Sequence, residues 1–113
     1  MKKVASRDVR ARKPVRGSRT GRPIMALLDL LSRRWQLRIL WELRGGEPLR
    51  FRALQDAAGV SPSVLNTRLA ELIDSGIVSL SEEGYALTAQ GRALEQAFMP
   101  LYAWAERWAA RDS

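Results

Sequence analysis

Residues 23–113 read as a mainly α-helical domain carrying one small β-hairpin. Apolar residues recur at helical spacing from Ile24 to Leu43 and again from Leu94 to Trp108. Glycines interrupt the pattern at Gly45-Gly46, Gly59 and Gly76, and two short strand-like runs flank Gly84. A chain of 113 residues holds one such domain plus a tail, and two full domains are excluded.

The tail is residues 1–22. Over residues 1–23 nine basic side chains, Arg16, Arg19 and Arg22 among them, face Asp8 alone, whereas ten Arg face eleven acids over residues 24–113. The net charge of +7 therefore lies wholly in the tail. With Pro14, Gly17 and Gly21 and almost no large apolar side chain, this segment cannot offset its own ordering entropy, and a disordered basic arm is expected. Polyanion binding is the functional reading of such an arm, and a merely solubilising extension is the alternative.

From Ile24 the elements follow in order. Ile24, Leu27, Leu28 and Leu31 mark a first helix. Trp35, Leu37, Ile39, Leu40, Trp41 and Leu43 mark a second, stopped by Gly45-Gly46. Its apolar side is broad, which predicts a central place in the core with Trp35 and Trp41 as packing residues. Glu47-Pro48-Leu49-Arg50 is extended around the proline, and Phe51, Leu54 and Ala57-Ala58 form a short third helix ended by Gly59. Ser61 is an N-cap with Pro62 at the first helical position, so a fourth helix runs from residue 62 to about 75, closed by Gly76. Ile77–Leu80 and Tyr85–Thr88 read as strands joined by Ser81-Glu82-Glu83-Gly84. Thr88 caps the last helix, in which Pro100 predicts either a kink or two abutting helices. Helix, helix, helix–turn–helix, hairpin and long helix are together the layout of a winged helix–turn–helix, with Gly59-Val60-Ser61 as the tight turn.

Helical projection of the fourth helix puts Leu65, Leu69, Leu72 and Ile73 on one face and Ser63, Asn66, Thr67, Ala70 and Asp74 on the other. Small polar side chains near a helix N-terminus suit entry into a DNA major groove, so Ser63, Asn66 and Thr67 are the candidate base readers. Ser61 and the free N–H groups of the first turn suit a phosphate. Arg68 can reach a phosphate or pair inside the domain with Glu71 or Glu42. The hairpin tip carries Glu82 and Glu83, which disfavours phosphate contact there.

Other function classes have little support. With no Cys and no His there is no disulfide, thiol nucleophile or imidazole acid–base catalyst, and no glycine-rich phosphate loop or facing carboxylate pair appears. We expect no enzyme activity and no metal or organic cofactor. No apolar run approaches the roughly 20 residues of a membrane span and the start lacks a signal-peptide core, so a cytoplasmic protein without membrane contact is expected.

From Pro23 to about Trp108 the chain resembles the HxlR-type winged-helix transcription regulators. The resemblance is carried by RPIMALLDLLSRRWQLRILWEL, LRFRALQ, VSPSVLNTRLAELIDSGIV, YALTAQGRAL and MPLYAWAERW, in that order. It implies a sequence-specific DNA-binding regulator, a dimeric repressor, with residues 62–75 in the major groove of a pseudo-palindromic operator and the hairpin as wing. Ser61, Ser63, Asn66, Thr67 and Arg68 hold the matching recognition-helix positions. It also implies a homodimer built through the first and last helices. Leu27 and Leu28, together with the stripe Leu94, Phe98, Leu101, Trp104 and Trp108, which is too wide and aromatic for a small domain to cover alone, fit that role. Many members carry a sensor cysteine where this chain has Arg22, so thiol sensing of quinones, aldehydes or oxidants is expected to be absent. The wing is shorter and more acidic than is usual in the family, and the arm, through Arg16, Arg19 and Arg22, is expected to reach phosphates or the minor groove in its stead. Two alternatives stay open: a winged-helix protein-interaction module, and a non-specific DNA binder acting through the arm. No small-molecule effector is indicated.

Overall fold

The computed structural model describes residues 21–111. Arg16, Arg19 and all of the arm but Gly21 and Arg22 lie outside the described residues. Helix α1 (Pro23–Leu31) starts at an extended Arg22 with Pro23 in its first turn, where the missing proline N–H leaves nothing unbonded. The link to α2 (Gln36–Glu42) passes through Trp35 in the left-handed region at φ 74°. Helix α3 (Phe51–Ala58) ends at Gly59, whose φ of 72° turns the chain into α4 (Pro62–Asp74) without a Cβ penalty. Strands β1 (Val78–Ser81) and β2 (Gly84–Leu87) pair antiparallel, and α5 (Ala89–Ala110) completes the domain.

The core lies between these elements and not within any one of them. Ile39 of α2 and Leu43 just after it, Leu54 of α3 and Leu65, Leu69 and Leu72 of α4 are buried together, and Val78 and Leu87 of the hairpin close the cluster. Each helix thus contributes the three- and four-residue steps that face its neighbours. Among the described residues no helix is long and apolar enough to cross a membrane.

Several expectations are corrected. The hairpin keeps the expected register, Leu80 opposite Tyr85, but its pairing runs one residue further into the turn: Ser81 pairs with Gly84, leaving a two-residue connection, Glu82-Glu83, where four residues were expected. The Ser81 hydroxyl stabilises the tight turn by accepting from the Glu83 N–H at 3.1 Å. Gly84 belongs to the strand because Leu49 runs alongside, exchanging backbone hydrogen bonds with Tyr85 at 2.9 and 2.7 Å. A Cβ on Gly84 would meet the Leu49 carbonyl. Trp35 and Trp41 are exposed and not core residues, since Gln36, Ile39 and Leu43 occupy the inward positions around α2. Trp41 instead lies on the surface between Tyr102, stacked at 5.8 Å, and the Arg44 guanidinium, 3.7 Å from its ring centre. Ile73, expected on the buried face, is 40% exposed; it lies in the last turn, about 100° round from Leu72. Pro100 neither ends α5 nor splits it, and one helix runs through it.

Thr88 ties three elements together. Its hydroxyl lies 2.6 Å from the Gly76 carbonyl and 3.2 Å from that of Ile77, and it accepts from the Gly91 N–H at 3.0 Å. Thr88→Ala removes the cap of α5 and leaves carbonyls at the α4–β1 junction without this donor. We expect a loss of about 1–2 kcal/mol, read as a lower denaturation midpoint with unchanged slope; an unshifted midpoint would mean that water replaces the hydroxyl.

Candidate nucleic-acid interface

The helix–turn–helix α3–Gly59–α4 presents one face of α4 outward. Ser63, Asn66, Thr67, Ala70 and Asp74 are all exposed there, while Leu65, Leu69 and Leu72 seat the opposite face in the core. The buried leucines hold the helix axis, and the short outward side chains let a neighbouring surface come close.

Hydrogen bonding sets what each group can offer. At the N-terminus the Ser61 hydroxyl accepts from the Val64 N–H at 3.3 Å, and the Ser61 carbonyl accepts from Leu65 at 2.9 Å. Pro62 has no N–H, so of the first-turn donors that of Ser63 remains directed outward, together with the Ser61 hydroxyl proton. Both suit a phosphate oxygen at the positive end of the helix dipole. The Thr67 hydroxyl donates to the Ser63 carbonyl at 3.1 Å. Its lone pairs and methyl group are what it can show to a base edge. Asn66 keeps both its amide donor and its carbonyl acceptor, the pair that matches the N6 and N7 edge of adenine.

Arg68 is placed otherwise. Its Nη1 lies 3.1 Å from Glu71 Oε1 and its side chain is only 21% exposed, so of the two roles open to it the structure supports the internal pair, with Glu71 and not Glu42. Glu42 pairs with Arg38 at 3.2 Å instead. Glu71 also meets Arg33 Nη1 at 3.3 Å and accepts from the fully buried Gln36 amide at 3.2 Å. Sequence reasoning missed Gln36 and Arg33. Gln36 left a signal, a polar residue in register with Ile39, Leu40 and Leu43 on an otherwise apolar stripe. Arg22 is exposed at the start of α1, and the wing tip shows Glu82 and Glu83 to solvent.

The residues expected at a subunit contact divide in two. Leu94 is half-buried against the core, and Leu27 and Phe98 are half-buried. Leu28, Leu101, Trp104 and Trp108 are exposed, joined by Ile24 and Met25 on α1 and Tyr102 on α5. Trp104 and Trp108 stack on one another at 5.9 Å.

Comparison with known proteins agrees with this geometry. Residues 30–113 match the family described as HxlR-like helix-turn-helix. The uncharacterized HTH-type transcriptional regulator sll1512 of Synechocystis is 28% identical over 98 residues, covering 80% of this chain and 73% of that protein. Quinone-bound YodB of Bacillus subtilis superposes with a TM-score of 0.69 at 33% identity, over 74% of this chain and 96% of YodB. The reduced form of the same transcriptional regulator gives 0.65 at 33% identity, over 76% and 92%. Its diamide-treated form gives 0.60 at 32% identity, over 76% and 93%.

These neighbours correct one expectation of function. Arg22 in the place of a cysteine set the chain apart from the quinone- and oxidant-responsive members. Yet the structures it superposes on are those of a regulator captured with quinone, reduced, and after diamide. The absence of cysteine describes this chain's side chains, and it does not place the chain in a different branch of shape from those proteins. With the winged helix–turn–helix in place and the match running from Leu30 to Ser113, the chain belongs to the HxlR-like helix-turn-helix family of DNA-binding transcription regulators.

Proposed function

We propose that the outward face of α4 reads base edges in the major groove of an operator, and that two copies of the chain, joined through α1 and α5, bind a pseudo-palindromic site. The observation that carries this reading is the composition of the α4 face. Ser63, Asn66, Thr67 and Ala70 form a surface of small polar and methyl groups at a Ser61-capped helix start, held by three buried leucines. Asn66 reads by its amide, Thr67 accepts and offers its methyl, and Ser61 with the Ser63 N–H grips a phosphate. A two-fold dimer then repeats this contact at half-sites about one helical turn, ~34 Å, or a multiple of it apart. The exposed apolar residues of α1 and α5 support the second copy, because large apolar side chains exposed in such number on a small domain are normally covered.

The test begins with selection of a duplex from a random-sequence library by the full chain. Fluorescence anisotropy on the selected duplex and on a scrambled one of equal length should differ by at least about a thousandfold. Asn66→Ala should then cost about 1–3 kcal/mol on the selected duplex, roughly 5- to 150-fold, and relax the preference at one base position per half-site. Equal binding of both duplexes by the wild-type chain, or an Asn66→Ala variant with unchanged preference, would overturn the reading.

A further inference from the structure

Helix α4 carries a single basic side chain, Arg68, and that side chain is held by Glu71. Arg68 lies on the same flank of the helix as Val64 and Glu71, next to Thr67, within the reach of a long side chain from the outward face. An arginine freed there would meet phosphates of any sequence equally well. We infer that Glu71 is a specificity-determining positioning residue. By keeping Arg68 inside the domain it leaves the reading surface of α4 without a free cation, so that the helix discriminates by its polar groups. This rests on the reading of α4 given above and deepens it.

The surroundings of the carboxylate explain why its charge is needed. Glu71 receives Arg68 on Oε1 and Arg33 on Oε2, at 3.1 and 3.3 Å, so one anion stands between two guanidinium groups. Gln36, fully buried, donates to Oε1 at 3.2 Å and fixes the carboxylate from the α2 side. Asp29 gives Arg33 a second, weaker partner at 4.0 Å. Arg68 has no other ion-pair partner among the described residues, and its Nε is buried without a hydrogen bond. Replacing Glu71 by a neutral isostere leaves two cations facing each other, and the one without a reserve partner, Arg68, must leave for solvent. Its way out runs beside Thr67.

The experiment uses the full chain on the selected and scrambled duplexes, each titrated with salt. For E71Q we expect several-fold tighter binding to the scrambled duplex. The slope of log K against log salt should steepen by about 0.9 per protomer, the value of one added phosphate contact, and the preference for the selected duplex should narrow. The double variant R68M/E71Q should return the wild-type slope, and R68M alone should leave both affinities and slopes at wild-type values, since the wild-type arginine does not touch DNA. An unchanged slope for E71Q, or a slope shallower by one contact for R68M, would overturn the inference; the R68M result decides the matter even if E71Q does not fold. The Asn66→Ala arm separates the two levels. If Asn66→Ala loses nothing, the reading of α4 fails. If it loses preference while E71Q binds as wild type, only the role of Glu71 fails.

Discussion

Leu69→Ala should lower the unfolding free energy by about 2–5 kcal/mol. Leu69 is 2% exposed and lies on the inner side of α4 between Leu65 and Leu72, which are fully buried. Truncation leaves a cavity that α4 can fill only by moving towards α2 and the hairpin. The turn at Gly59 and the tie at Thr88 hold both ends of that helix against such a shift. A domain of this kind has about 5–15 kcal/mol in total, so the loss is a large share of its stability. Chemical denaturation should show a lower midpoint with the slope preserved. A shift worth less than about 1 kcal/mol would mean that the core around α4 is loosely packed, against the burial seen here. The variant should lose duplex binding at temperatures where the wild-type chain still binds, because the same three leucines that build the core also aim Asn66 and Thr67.

Trp104→Asp should separate the proposed dimer while sparing the fold of each subunit. Residues 101–111 are exposed throughout, and Trp104 and Trp108 are each about half exposed, 51% and 52%, although stacked on one another. In the proposed dimer a second molecule covers them. A tryptophan at the centre of such a contact is commonly worth about 2–4 kcal/mol, roughly 30- to 1,000-fold in the dissociation constant, and an aspartate there adds the cost of a buried charge. Sedimentation velocity should show the wild-type chain as a dimer and the variant as a monomer at the same concentration. The melting of the subunit itself should change by less than about 0.5 kcal/mol, as expected at an exposed position. A monomer grips one half-site, so affinity for the selected duplex should fall with it. A variant that still sediments as a dimer would move the interface away from this stripe.

How these elements would form was largely legible in the sequence, because caps and turns act locally. Ser61 before Pro62, Gly59 and Thr88 each satisfy or terminate a helix end through groups four residues away at most, and each does so in the structure. The outward face of α4 was legible for the same reason, since helical periodicity places Ser63, Asn66 and Thr67 opposite Leu65, Leu69 and Leu72 whatever else the chain does.

The tertiary structure decided the rest. Periodicity tells which side of a helix is apolar but not how much of that side a neighbour covers, so Trp35, Trp41 and Ile73 are apolar in pattern and exposed in fact. The short turn of the hairpin, with Gly84 drawn into the strand, goes with Leu49, more than thirty residues away from its partner Tyr85, running alongside. The partner of Arg68 depended on Arg33 and Gln36, brought to Glu71 of α4 by the α1–α2 link and the start of α2. The sequence by itself thus determined which segments are helices, where they end and which small polar groups α4 turns outward. Only the folded chain decided which charges are withdrawn from that surface and which apolar residues remain on it, because both depend on contacts between segments distant along the chain.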